Sequence, residues 1–211
     1  KTMQSISPQE RPAPRWLAGA LIGLVNGVII SCGKVPAFIA TLGTMNIARG
    51  LAYLTNGGKS ITGLPVPLAN IMGTKLFGSM PISILYVIVL YALIFFVMTY
   101  TRFGRRVYAL GGNVKAAKLS GVKVKQLEVG VYVLAGVFSA IACLMLLSRL
   151  FVADPNTGSG YEMDAIASCV IGGISLSGGK GKVLNTFVGA LILGMLTCGL
   201  PSTGRPSSPA L

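Results

Sequence analysis

The feature that most constrains this chain is an apolar run from Pro81 to Thr101, which contains no charged residue and is followed at once by Arg102. Its length matches the roughly 20 residues that a helix needs to cross a bilayer. The whole chain agrees, since 53% of it is hydrophobic and 11% is charged, whereas soluble domains carry about 25% charged residues. A soluble fold of 211 residues would leave large apolar patches exposed. We therefore predict an all-α, polytopic integral membrane helical bundle.

Hydropathy predicts further membrane segments on both sides of this run. They are Trp16–Ser31, which is short for a span, Val35–Thr55, Gln126–Leu150 and Val183–Leu200. A shorter apolar stretch over 163–176 is interrupted by Gly172-Gly173, which predicts a broken or re-entrant helix. We expect a membrane domain over 16–200, between a polar N-terminal tail over 1–15 and a disordered, low-complexity tail over 201–211. Because neither tail resembles a membrane segment, we also expect the chain to be truncated at both ends.

Two patterns inside these segments predict how the helices pack. Gly19, Gly23 and Gly27 lie four residues apart, so they share one helix face and allow another helix to approach closely. The second segment carries a set of polar residues, namely Thr41, Thr44, Asn46 and Arg49. Because lipid does not satisfy polar side chains, we expect this set to face protein or a water-filled path.

The basic loop 102–125 predicts the orientation in the membrane. It contains seven of the 18 Lys and Arg residues and no acidic residue: Arg102, Arg105, Arg106, Lys115, Lys118, Lys123 and Lys125. Such loops lie on the cytoplasmic side. Because each span takes the chain to the other side of the membrane, the segments 57–80 and 151–162 are then outside, and Lys180 and Lys182 are inside. The net charge of +13 does not indicate a nucleic-acid partner, because the loop has no interleaved aromatic residues for base stacking. The expected partner of these charges is the lipid bilayer.

A short helix is predicted inside the basic loop. Asn113 is a favourable N-cap, Val114–Leu119 follows as one or two turns, and Gly121 is suited to end the helix in a left-handed conformation. Two interpretations remain open. The helix is either an ordinary connector, or a docking helix whose small residues Ala116, Ala117 and Ser120 fit a groove on a partner.

The composition excludes several kinds of chemistry. There is no histidine, and the four cysteines lie in apolar segments without CxxC spacing, so we predict no catalytic residue and no metal site. An intramembrane aspartyl protease needs two facing carboxylates at membrane depth, whereas Asp154 and Asp164 flank a polar loop. The sequence SLSGGKGK (175–182) suggests a nucleotide-binding loop, but it lacks GxxxxGK followed by Ser or Thr and a preceding strand. We therefore predict that the chain is not an enzyme and binds no cofactor.

Several segments occur in the order found in one transporter family. They are TRFGRR and ALGGNVKAAKLSGV in the basic loop, PAFIATLGTMNIARGLAYL (36–54), DPNTGSGYEMDAIA (154–167) and VIGGISLSGGKGKVLNTFVGALILG (170–194). Together they resemble the permease subunits of sugar-importing ABC transporters of the ribose and xylose type, over roughly 17–200. The basic loop resembles the coupling loop of these subunits, which is driven by the ATPase.

The resemblance implies a subunit that forms the translocation path for a monosaccharide such as ribose. It implies a multi-pass location in the bacterial inner membrane, a second permease copy, a soluble sugar-binding protein outside and an ABC ATPase inside. ATP would be bound by the ATPase and not by this chain. The coupling role would fall on Gly111, Gly112, Asn113, Ala116, Ala117, Ser120 and Gly121.

Other roles are weaker expectations with alternatives. A neutral sugar needs hydroxyl partners, and Asn26, Thr41, Thr44 and Asn46 are candidates to line its path, although hydrogen bonds between packed helices explain them equally well. The acidic residues at the outer surface are candidates to receive the binding protein: Asp154, Glu162 and Asp164, of which Asp164 is also a candidate helix cap. Arg102, Arg105 and Arg106 are expected to anchor the chain at the membrane surface.

Two alternative functions stay open at this point. Broken helices and inward polar residues also fit a secondary transporter or channel for a small polar solute. Ion-coupled carriers usually have ionisable residues at the midplane, and these segments have essentially none. A non-functional permease fragment is the other alternative.

Overall fold

The computed structural model of the chain describes residues 15–33, 35–62, 75–76 and 80–203. Of the predicted N-terminal tail only Arg15 lies among them. The elements are α1 (Arg15–Gly33), α2 (Ala37–Asn56), β1 (Ile61–Thr62), β2 (Lys75–Leu76), β3 (Met80–Pro81), α3 (Ile82–Tyr100), α4 (Arg102–Gly112), α5 (Val114–Leu119), α6 (Val124–Leu150), β4 (Val152–Ala153), α7 (Tyr161–Ile171) and α8 (Val183–Thr203). These residues group into two compact units. The first contains α1, α2, β1, β4 and α6 from Glu128 onward, and the second contains the remaining elements.

Three helices are long and apolar enough to cross a bilayer. They cover Trp16–Gly33, Ile82–Tyr100 and Val124–Leu150, with mean hydropathies of 1.8, 2.6 and 2.4. The first of them is longer than the sequence suggested, because α1 continues through Gly33. The prediction of an all-α polytopic membrane protein is confirmed, since the strands are two residues long and the long elements are apolar helices.

In the first unit, α1 and α6 pack against each other with backbones in contact. A Cβ atom on Gly19 would overlap the carbonyl oxygen of Gly136, and one on Gly23 would overlap that of Tyr132. A Cβ on Gly27 would lie 2.8 Å from the Cα of Val129. All three glycines of the repeat therefore face α6, which confirms the predicted close helix approach.

Short antiparallel strands join the ends of helices within each unit. In the first unit, β1 pairs with β4 through Ile61 and Ala153 and through Thr62 and Val152. This pairing brings together two segments that the charge pattern assigns to the same outer side. In the second unit, β2 pairs with β3, with Lys75 opposite Pro81 and Leu76 opposite Met80.

The second unit contains the predicted broken helix. Its helical part, α7, has 11 residues, which is about 16 Å against a hydrocarbon core of roughly 30 Å. The helix ends because Gly173 has a φ of +75°, and the N–H groups of Gly173 and Ile174 donate to the carbonyls of Val170 and Cys169 at 2.8 and 3.0 Å. This is a Schellman motif, which glycine favours at that position.

The next helix, α8, packs closely against the end of α7. A Cβ atom on Gly172 would lie 2.6 Å from the carbonyl oxygen of Asn185, and one on Gly189 would overlap that of Ser168. The helix α8 extends through Thr203, three residues into the segment that we predicted as a tail. The rest of that segment, 204–211, lies outside the described residues.

Candidate functional site

The chain turns sharply between the membrane helix α3 and the helix α4. The Thr101 hydroxyl donates to the carbonyl oxygen of Val97 at 2.6 Å and accepts the N–H of Gly104 at 3.4 Å. Gly104 is buried, and a Cβ atom there would overlap the carbonyl oxygen of Met98. The N-cap and the missing side chain together let α4 fold back onto the end of α3.

The helix α4 is amphipathic and presents its basic residues to the surroundings. Arg102, Arg105 and Arg106 are exposed, whereas Val107 and Tyr108 on the opposite face are half-buried. The Arg105 guanidinium also donates to the carbonyl oxygen of Tyr100 at 3.3 Å. An amphipathic helix with basic residues on its polar face is typical of a helix that lies in the membrane interface.

The helix α5 has the ends that the sequence predicted. Asn113 is extended, with φ −158° and ψ 105°, and its side chain accepts the N–H of Ala116 at 3.0 Å. At the other end Gly121 has φ +77°. The N–H groups of Gly121 and Val122 donate to the carbonyls of Lys118 and Ala117, both at 3.1 Å, which is again a Schellman motif.

The two faces of α5 differ in burial. Ala117 is 3% exposed, whereas Leu119 is 90% exposed and Val114 is 53% exposed. A partner that docks on α5 would therefore contact Leu119 and Val114, and Ala117 would support the helix from inside. Residue type alone did not reveal this difference, because Leu119 looks like a core residue in the sequence.

The glycine-rich stretch SLSGGKGK (175–182) lies directly against the C-terminal end of α4. A Cβ atom on Gly111 would lie 2.5 Å from the amide nitrogen of Gly179, and a Cβ on Gly179 would lie 2.6 Å from the Cα of Gly112. A Cβ atom on Gly112 itself, in contrast, would meet no other atom within 4 Å. The charge pattern predicted that Lys180 and Lys182 lie on the same side of the membrane as the basic loop, but it did not predict this backbone contact.

Three of the four candidate path residues lie close together in the first unit. The Thr44 hydroxyl donates to the side-chain oxygen of Asn26 at 2.8 Å, which joins α2 to α1. The Thr41 hydroxyl donates to the carbonyl oxygen of Ala37 at 2.9 Å. For Asn26 and Thr44 the structure thus shows the helix-to-helix hydrogen bond that the sequence offered as an alternative.

Asn26 and Thr41 also line a cavity of about 540 Å³ between α1, α2 and α6. Its other polar side chains are Tyr132 and Ser139, and no charged residue is among its lining residues. The wall is otherwise formed by small and apolar side chains, namely Ala18, Gly19, Ile22, Gly23, Ala135, Gly136, Ala140, Cys143, Leu144 and Leu147.

The polar residues of α2 do not all lie on one face of the helix. Successive residues in a helix are 100° apart, and Asn46 therefore points away from Thr44 by about 200°. Asn46 is exposed and is not among the lining residues of the cavity.

The acidic residues lie in the turn before α7 and in its first turn. A side-chain oxygen of Asp154 accepts the N–H of Asn156 at 2.7 Å, which forms an Asx turn. The N-cap of α7 is Gly160, so the expectation that Asp164 caps the helix is wrong. Instead, Glu162 accepts the N–H of Gly160 at 3.1 Å, and Asp164 is exposed in the first turn, where its charge suits the helix dipole.

Metal binding finds no support in the part of the chain that the structure describes. No group of three or more His, Cys, Asp or Glu side chains there is placed to hold an ion. The cysteines at 32, 143, 169 and 198 are free thiols.

Comparison with known proteins identifies the context of these sites. A family profile described as the permease component of a branched-chain amino acid transport system matches residues 15–210. The ribose import permease protein RbsC of Bacillus subtilis is 44% identical over 86% of this chain, and its Escherichia coli K12 counterpart is 42% identical over 90%. The autoinducer 2 import system permease protein LsrC of Escherichia coli O9:H4 is 40% identical over 84%. A search of solved structures returns no significant match.

This chain spans 57%, 60% and 52% of the length of these three relatives, in the order given.

Proposed function

We propose that this chain is the membrane-spanning permease subunit of an ATP-driven importer for a monosaccharide such as ribose. The chain belongs to the family of branched-chain amino acid transport system permease components. Membership in a transport family agrees with the prediction that the chain is not an enzyme. The proposed permease domain covers 16–200, with the coupling loop at 102–125. The proposed setting is the bacterial inner membrane, which the three helices long and apolar enough to cross a bilayer support.

The uncharged cavity in the first unit is the observation that favours a sugar over an amino acid. An amino acid carries an ammonium and a carboxylate, and both lose hydration in an apolar cavity unless charged or strongly polar groups replace it. The described lining residues offer an amide, two aliphatic hydroxyls and a phenol, on Asn26, Thr41, Ser139 and Tyr132. Such groups suit the hydroxyls of a neutral sugar. Relatives named for the import of ribose and of autoinducer 2 support the same substrate class.

The coupling segment, which we define as residues 111–121, supports docking of an ABC ATPase. Leu119, the last residue of α5, is almost fully exposed, and Val114, its first residue, is also exposed; a large apolar side chain is typically a central contact in a protein interface. Lys115 and Lys118 flank these two residues and are exposed. The Asn113 cap and the Schellman motif fix the helix ends, so the segment is ready to dock without ordering first.

The remaining partners follow from the proposed importer. A second permease copy would complete the translocation path, and a soluble sugar-binding protein would dock outside, where Asp154, Glu162 and Asp164 are candidate contacts. Movement of the ATPase would shift the path between outward-open and inward-open states through differential binding. ATP would be bound by the ATPase and not by this chain.

The basic residues of α4 are proposed to anchor the chain at the membrane surface. Cationic side chains at the start of a helix are unfavourable with respect to its dipole, and Arg102, Arg105 and Arg106 lie in the first five residues of α4. Anionic lipid headgroups would offset this cost, at about 1 kcal/mol for each basic residue near the surface. The exposure of Arg102, Arg105 and Arg106 on one face of α4 supports this role.

The proposal is tested by copurification from the native membrane. The tagged protein is expected to recover an ABC ATPase, and Leu119→Glu is expected to lose most of it, whereas the conservative Leu119→Met retains it. Ala117→Glu serves as a folding control, because a charge at this buried position should disrupt α5 itself.

Uptake measurements separate the alternative functions. We expect labelled ribose uptake to require the ATPase and to resist competition by excess leucine. Ribose uptake without any ATPase would instead establish a secondary transporter. Competition by leucine would establish an amino acid permease, and absence of both uptake and ATPase recovery would indicate a non-functional fragment.

A further inference from the structure

The stretch SLSGGKGK, which we call the glycine loop (residues 175–182), has no role in the function proposed so far. We propose that it is a positioning element for the coupling segment, against which it packs through Gly111 and Gly179. The inference rests on the proposed function only where it predicts an effect of the contact on transport. The contact itself is a property of the second unit.

The contact leaves no room for side chains at its centre. A Cβ atom added to Gly178 would lie 3.0 Å from the carbonyl oxygen of Gly111, and one added to Gly111 would lie 2.5 Å from the amide nitrogen of Gly179. The atoms that meet are therefore backbone atoms on both sides. Backbone moves less easily than the end of a flexible side chain, so a contact of this kind fixes the two segments relative to each other.

The glycine loop is itself held in a defined shape. The N–H of Ser175 donates to the carbonyl of Lys180, and that of Gly178 donates to the carbonyl of Ser175, both at 3.0 Å. Gly178 and Gly179 have φ values of +88° and +74°, a conformation that residues with a side chain rarely adopt. The loop is thus a structured turn and not a slack linker.

The loop connects the coupling segment to the broken helix. Ile174, which precedes the loop, ends the Schellman motif of α7, and Val183, which follows it, begins α8. The helices α7 and α8 are in turn locked by backbone contacts at Gly172 and Gly189. A displacement of the coupling segment toward the loop would therefore be passed to the α7–α8 pair. A steric contact transmits compression, so we expect the loop to follow α4 when the segment is pressed against it.

The proposal is tested first by a distance between two labels. Leu119 and Leu176 are 90% and 77% exposed, so cysteines at these positions accept spin labels once the native cysteines are replaced. In the purified full chain, we expect a narrow distance distribution that broadens or shifts in Gly111→Ala. The matched control is Gly112→Ala, which adds the same methyl group into open space one residue further along α4 and should leave the distribution unchanged.

A second pair of variants approaches the contact from the loop side. Gly179→Ala places a Cβ atom 2.6 Å from the backbone of Gly112 at a φ of +74°. Gly160→Ala carries a similar backbone strain, at a φ of +92°, but has open space around it. If strain alone mattered, the two variants would behave alike. We expect only Gly179→Ala to broaden the distribution, and this arm remains informative if Gly111→Ala does not fold.

Transport is the measurement that would stay unchanged if the contact had only a structural role. We expect the Gly111→Ala chain to recover the ATPase normally and the recovered complex to hydrolyse ATP, with ribose uptake per ATP reduced at least fivefold relative to Gly43→Ala, which adds the same methyl group into open space in the first unit. An unchanged label distance in Gly111→Ala and Gly179→Ala would overturn the inference, whatever the ATPase result. An unchanged uptake per ATP would equally overturn the positioning role. If the distances change as expected but no ATPase is recovered from the native membrane, the proposed function fails and the contact stands.

Discussion

Glycine brings backbones together in both units, but in two different ways. In the first unit, Gly19, Gly23 and Gly27 repeat along α1 and meet α6 over two turns of regular helix. In the second unit, Gly111 meets Gly179 at one point, where the end of a helix contacts a loop with positive φ. A repeated contact holds two helices along their length, whereas a single contact defines one position. We infer that the first supports the fold and the second transmits movement.

The largest expected effect breaks the repeated contact. In Gly23→Ala the added methyl group overlaps the carbonyl oxygen of Tyr132, and overpacking of this kind costs about 1–3 kcal/mol. For a chain of this size, that corresponds to roughly 2–4 °C in melting temperature for each kcal/mol. The measurement is thermal unfolding of the purified protein in detergent.

The control for this variant lies in the same unit. Gly43→Ala adds a methyl group to α2, where the structure shows open space, and alanine favours a helix over glycine. We expect its melting temperature to stay equal to that of the parent or to rise slightly. Equal losses in Gly23→Ala and Gly43→Ala would show that the packing of α1 on α6 is not what stabilises the first unit.

The difference between the two glycine contacts also explains what could be predicted from the sequence. The repeat in α1 was predicted because the period of a helix places residues four apart on one face, whatever surrounds them. The ends of α5 were predicted for the same reason, since Asn113 and Gly121 act on neighbouring backbone. Each of these patterns is local.

The contact between Gly111 and Gly179 was not predictable, because it joins residues that are far apart in the sequence. It depends on where α4 and the glycine loop lie in the folded chain. The same limit applies to Ala116 and Ala117, which the sequence treats alike although only Ala117 is buried. Asp164 failed as a predicted cap because α7 begins at Tyr161, which places Asp164 inside the first turn of the helix.

A smaller effect is expected at the end of the coupling segment. Gly121→Ala places a side chain at φ +77°, which costs roughly 1–2 kcal/mol, and should fray the last turn of α5 without disturbing the contact at Gly111. We expect the amide hydrogens at positions 121 and 122, which close the Schellman motif, to exchange about tenfold faster in this variant. Gly112→Ala is the control, since its added methyl group meets nothing. Unchanged exchange in Gly121→Ala would mean that the motif does not hold this end of the helix.

The smallest expected effect on stability separates packing from transport in the first unit. Thr44→Val removes the hydroxyl that donates to Asn26, and hydrogen bonds between membrane helices contribute about 0.6 kcal/mol on average. Thr41→Val is its matched partner, because the same atoms are exchanged one helical turn earlier, at a side chain that lines the cavity and donates to its own helix. We expect Thr44→Val to lower the melting temperature by one or two degrees, roughly, and Thr41→Val to reduce ribose uptake with little change in melting temperature. The two losses depend on different contacts of α2, a hydrogen bond to α1 and the wall of the cavity, so a reduced uptake in Thr44→Val together with normal uptake in Thr41→Val would place the sugar path outside this cavity.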